Sequence, residues 1–89
     1  MREIVRTRAF ERDLKLMVKR RKDIAKLEAV VQRLRSDRPL DARHKPHPLK
    51  GVWKPCWECH IEPDWLLVYE IKGNALYLAR TGTHSDLFR

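Results

Sequence analysis

Apolar side chains recur at helical spacing along the first third of the chain. Phe10, Leu14, Met17 and Val18 fall at i, i+4, i+7 and i+8, one stripe on a helix spanning roughly residues 8–20. Thr7 stands where its N-cap belongs. The run Lys19–Lys22 interrupts the stripe. Asp23 then caps a second helix, in which Ile24, Leu27, Val30, Val31 and Leu34 continue the period to about Arg35. Two amphipathic helices in tandem predict a helical hairpin, preceded by a brief strand at Glu3–Arg6 and stopped by Pro39. Residues 37–51 hold three prolines and end on Gly51, which reads as a long loop of the kind that often carries function. Beyond it the period changes. Val52-Trp53 and Trp57–Ile61 read as a strand, and Glu62-Pro63-Asp64 as a turn. Trp65–Ile71 is a nearly continuous apolar run, as in a strand covered on both faces. Lys72-Gly73-Asn74 reads as a hairpin turn, Ala75–Ala79 as a last strand, and Gly82 as a bend before the tail. The predicted order is β-α-α-β-β-β. The expected class is α+β: one domain over residues 1–89, with the helical hairpin packed on a twisted antiparallel sheet.

With 89 residues the chain buries only about 60–65% of its unfolded surface, which favours a surface groove over a deep cofactor pocket. The formal charge is +8 and unevenly spread: residues 1–50 carry 16 basic and 7 acidic side chains, residues 51–89 carry 4 and 5. A field of that strength on so small a domain points to a polyanionic partner. No apolar run is long enough for a membrane span, and the N-terminus lacks a signal-like stretch, so a cytoplasmic protein is expected. Cys56 and Cys59 form a lone C-x-x-C. Residues three apart on a strand face opposite ways, so a shared metal or a disulfide is awkward even with His47 or His60 nearby, and reduced thiols are expected.

All four histidines follow residue 43. His47, His60 and His84 sit in loops or near strand ends, where catalytic groups gather; His44 reads as solvated. Histidine suits metal-free RNA cleavage. The reaction needs a base for the 2′-hydroxyl proton and an acid for the departing 5′-oxygen, and a side chain titrating near neutrality serves as either. Asp64, across the turn from His60, reads either as a turn cap or as a carboxylate that orients that imidazole. Trp53 and Trp57 read as packing. Trp65 and Phe88 read as core residues or as base-stacking platforms, which periodicity does not separate.

The strings His47-Pro48-Leu49-Lys50-Gly51, His60 to Tyr69 (HIEPDWLLVY) and Arg80-Thr81-Gly82-Thr83-His84, in that order and spacing, resemble the YafQ toxins of the RelE/ParE superfamily. The likeness extends over essentially the whole chain, with Cys56-Trp57-Glu58-Cys59 as a departure. It implies a microbial-RNase-like fold and cleavage of messenger RNA in the ribosomal A site. It implies His47, His60, Asp64 and His84 as catalytic residues and Trp65 and Phe88 as substrate-side residues. Lys50 and Arg80 are the expected phosphate ligands. His84 is the expected acid, and His60, oriented by Asp64, or His47 the base. No cofactor or metal is expected. The implied partners are the ribosome with its mRNA and an acidic antitoxin that folds on binding, with operator DNA reached through the antitoxin. Two rival readings are a ParE-like gyrase inhibitor and a plain nucleic-acid-binding module. Both account for the charge, and neither needs the histidine and aspartate set.

Overall fold

Thr7 ends the first strand and starts the first helix in one step: its Oγ1 accepts the Phe10 N–H at 3.1 Å. In the computed structural model, which describes residues 1–88, β1 (Glu3–Arg6) runs directly into α1 (Arg8–Lys19). α2 (Ile24–Arg35) follows, with Asp23 Oδ1 accepting the Ala25 N–H at 3.1 Å. Both predicted caps are therefore in place. The remaining elements are β2 (His47–Pro48), β3 (Trp57–Glu62), β4 (Trp65–Lys72), β5 (Ala75–Gly82) and a one-turn helix α3 (His84–Leu87).

The five strands form one sheet in the order β1-β5-β4-β3-β2. β2 to β5 are antiparallel, as expected, but β1 lies parallel to β5, so the sheet is mixed. No hairpin turn follows β1. A strand that passes straight into a helix is free to join the far edge, and chain order alone does not say in which direction it joins.

The helices cover one face. Phe10, Met17, Leu27, Val30, Val31 and Leu34 pack there against Cys59, Ile61, Trp65, Leu67, Tyr69, Leu76 and Leu78. Val18, assigned to the helical stripe, is instead exposed. The opposite face carries a smaller cluster of Leu66, Val68 and Leu87, closed by Leu49, Trp53, Cys56, Ala79 and Phe88. β4 is thus covered on both sides, which its unbroken apolar run requires. The two cysteines lie in different clusters, and burial pushes the Cys59 thiol up to about 12.

Three local expectations change. The segment 37–51 is not structureless: it holds a 3₁₀ turn at Ala42–His44 and the short strand β2. Val52-Trp53 belongs to a second 3₁₀ turn, Gly51–Trp53, rather than to a strand. The last strand continues past Ala79 to Gly82, through a bulge that skips Ala79 in its pairing with β4. Arg89 lies outside the described residues.

Candidate active site

β3 alternates its side chains between the two faces, with Cys59 and Ile61 toward the helices, so Glu58 and His60 point the other way. At the end of β3, His60 donates from Nδ1 to the Pro63 carbonyl at 3.1 Å. In that tautomer the neutral ring keeps its lone pair on Nε2. α3 brings His84 to the same place, with the two ring centroids 5.7 Å apart.

Asp64 joins them, but not in the expected way. It binds His84 rather than His60: Oδ1 accepts the His84 ring Nδ1–H at 2.6 Å and the His84 backbone N–H at 2.9 Å. Those bonds, the backbone one first, hold the Asp64 carboxyl below the usual carboxylate range. An ionised carboxylate on Nδ1 fixes the ring's orientation and stabilises the imidazolium, whose remaining proton sits on Nε2.

α3 is short and needs external support. Asp86 Oδ2 accepts the Thr83 N–H at 2.9 Å while Thr83 Oγ1 accepts the Asp86 N–H at 3.1 Å, a reciprocal capping box. Arg20, at the end of α1, grips the same carboxylate with two bonds of 2.7 and 3.1 Å. Gly82 leaves room for this approach, since a Cβ there would lie 3.0 Å from Asp86 Cβ and Oδ2. The Arg20 bond, followed by the Thr83 backbone bond, holds Asp86 well below the ordinary carboxylate range. A depressed value means that the stabilisation is complete above the unfolded value and is lost as pH falls through the folded one. Asp86→Ala is therefore expected to cost about 1 kcal/mol at pH 7 and less at pH 3, measured by urea unfolding at both values.

His47 stands beside this pair rather than within it. Its Nε2 lies 2.7 Å from Glu58 Oε2 and its Nδ1 3.0 Å from the Lys45 carbonyl. Only the imidazolium can donate to both acceptors at once. The Glu58 side chain is 9% exposed, and its Oε1 is buried with no hydrogen-bond partner among the described residues. Sequence reasoning passed over Glu58, although strand alternation places it on the face of His60. A buried carboxylate that loses its only ion-pair partner is costly. His47→Ala should thus destabilise the fold by about 1–3 kcal/mol, and Glu58→Gln in the same chain should restore part of the loss in urea unfolding. Additive losses would contradict this coupling.

His44 was also misread. It is buried, and its Nδ1–H donates to the His60 carbonyl at 2.6 Å, fastening the 42–44 turn to the edge of β3. Trp65 is a further correction. It is fully buried, with Nε1 donating to Thr81 Oγ1 at 2.9 Å, so no ring face is open to a base. Arg80 is tied to Asp13 by bonds of 2.6 and 3.2 Å, which leaves Nη1 outside the pair. Lys50 is exposed. Phe88 is half-buried and meets Trp53 edge-on at 5.0 Å, making Trp53 a neighbour of the site that the sequence reading assigned to packing alone. Among the described residues, no group of three or more His, Cys, Asp or Glu side chains is arranged to hold a metal.

Residues 2–89 match a protein family described as the bacterial toxin of the type II toxin–antitoxin system, YafQ. The mRNA interferase toxin YafQ of Escherichia coli K12 is 42% identical over 98% of this chain and 96% of its own length. The fold superposes on YafQ in the E. coli DinJ–YafQ toxin–antitoxin complex with a TM-score of 0.90 at 42% identity, covering 99% of this chain and 98% of that one. It also superposes on a metal-bound toxin from Helicobacter pylori with a TM-score of 0.93 at 47% identity, covering 99% and 100%.

Proposed function

Because the chain belongs to the YafQ family of toxins from bacterial type II toxin–antitoxin systems, we propose that it is an endoribonuclease that cuts messenger RNA in the ribosomal A site. The observation that carries this reading is the line Asp64–His84–His60 at one rim of the sheet, with two imidazoles 5.7 Å apart.

His60 Nε2 takes the proton of a ribose 2′-hydroxyl. The 2′-oxygen attacks the adjoining phosphorus, and the bond from phosphorus to the 5′-oxygen breaks. His84, charged and held by Asp64, delivers its Nε2 proton to that leaving oxygen, and a 2′,3′-cyclic phosphate remains. Each proton transfer contributes about 10²- to 10⁴-fold. His60 is the base in preference to His47, whose Nε2 is engaged by Glu58. Lys50 and Arg80 offset the developing negative charge, and Phe88, braced by Trp53, positions the nucleotide. Trp65 contributes by holding β4 against β5 through Thr81.

The basic first half binds ribosomal RNA through salt-sensitive phosphate contacts, and in the resting cell it binds an acidic antitoxin that folds on it. Operator DNA is reached through that antitoxin. No helix among the described residues is long and apolar enough to cross a membrane. Action on ribosomes places the protein in the cytoplasm.

Purified protein should arrest translation in a cell-free extract and leave cut messages detectable by primer extension. It should do so without any change in DNA supercoiling. Arrest with intact messages and altered supercoiling would favour a gyrase inhibitor instead.

A further inference from the structure

Beside the histidines lies a cavity that the reaction above leaves unused. Its volume is about 400 Å³, and Arg43, Lys45, His60, Ile61, Glu62 and Pro63 line it. Ile61, buried, and Pro63, exposed, supply apolar surface. Arg43 and Lys45 place two exposed cations on the rim; among the described residues Arg43 forms an ion pair only with the exposed Asp41, at 3.6 Å. Glu62 supplies an anion, held by Lys26 at 3.0 Å and Lys22 at 3.6 Å.

The rim is built together with the catalytic groups. Lys45 adopts a left-handed backbone (φ 43°), and its carbonyl faces His47 Nδ1 at 3.0 Å. The adjoining His44 is buried and bonded to the His60 carbonyl at 2.6 Å. A non-glycine residue in that conformation is uncommon and is retained where the surroundings over-determine it. Here the turn sets His47 and, through the same few atoms, the mouth of the pocket.

We infer that this pocket takes the base of the nucleotide whose 2′-hydroxyl is activated, with Arg43 and Lys45 on that nucleotide's own 5′-phosphate. The side follows from the wall: His60, the group that takes the 2′-proton, lines the cavity, whereas His84, which serves the leaving nucleotide, does not. The polarity follows as well. Arg43 and Lys45 draw a phosphate to the rim, while Glu62 retains acceptor capacity for N–H groups on a base edge. This assignment rests on the nuclease reading given above and adds a subsite to it.

The test uses an RNA dinucleotide carrying 2′-deoxyribose at the first position, so that it cannot be cut, titrated into the isotope-labelled full chain and followed by NMR. Amide shifts are expected at Lys45, Ile61 and Glu62. Removing the first base, to leave an abasic residue, should weaken binding about tenfold, within the range for one seated base. Adding a 5′-phosphate should strengthen binding several-fold in the native chain and have no effect in Arg43→Ala/Lys45→Asn, where Asn tolerates the left-handed backbone. Equal affinity for intact and abasic dinucleotides, or shifts confined to the cations of α1 and α2, would overturn the subsite. If the subsite fails in this way while translated messages are still cut, the nuclease reading stands; intact messages in the cell-free extract would sink the nuclease reading instead.

Discussion

Replacing His84 with alanine is expected to slow RNA cleavage by about 10²- to 10⁴-fold while leaving the fold intact. The ring is exposed, packs in neither apolar cluster and bonds only at the surface. What the substitution removes is the proton donor to the 5′-oxygen and the positive charge that Asp64 stabilises. Asp64→Asn should reproduce a large part of the loss, because an amide keeps the shape but cannot favour the imidazolium. Both effects belong in the turnover rate measured at saturating substrate. Circular dichroism and the urea midpoint of His84→Ala should match those of the parent. A His84→Ala protein that still arrests growth and cuts at the parental rate would remove His84 from the chemistry.

Trp65→Ala is expected to be the most damaging single change to stability, at about 3–5 kcal/mol. The indole is fully buried between the helices and the sheet, and its Nε1–H is satisfied by Thr81. Total stabilities are commonly about 5–15 kcal/mol, so a loss of this size leaves a substantial unfolded fraction at 37 °C. Trp65→Phe keeps most of the apolar volume and gives up the bond to Thr81, for an expected cost of about 1–2 kcal/mol. The folded Phe variant should bind RNA as the parent does. A stable Trp65→Phe protein with greatly weakened RNA binding would restore the base-stacking role that burial denies.

The contrast between these residues shows what the sequence could and could not reveal. Helix caps are local, so Thr7 and Asp23 were readable from the few residues that follow them. The burial of β4 was likewise written in its own apolar run, and Trp65 belongs to that run. Its assignment to substrate came from the family resemblance, because periodicity alone left core packing and base stacking both open. Glu58 was recoverable from strand alternation but was passed over within the unusual Cys-x-x-Cys segment. Asp64 was assigned to His60 because the two are near in sequence. Its actual partner, His84, lies 20 residues further on, and the contact exists only because α3 folds back over the end of the sheet. The bonds of Arg80 to Asp13 and of Arg20 to Asp86 span 67 and 66 residues. Nothing in a local pattern encodes such pairs; they appear only when α1 is laid against β5 and α3. The direction of β1 was hidden for the same reason.

Cleavage by this site depends on one division of labour, His60 accepting a proton and His84 donating one, and the pH dependence of single-turnover cleavage on programmed ribosomes tests it most directly. The native chain should give a bell-shaped profile, His60→Ala a much slower reaction without the acidic limb, and His84→Ala a much slower reaction without the alkaline limb. Profiles that keep both limbs in either variant, or rates that do not fall, would contradict it.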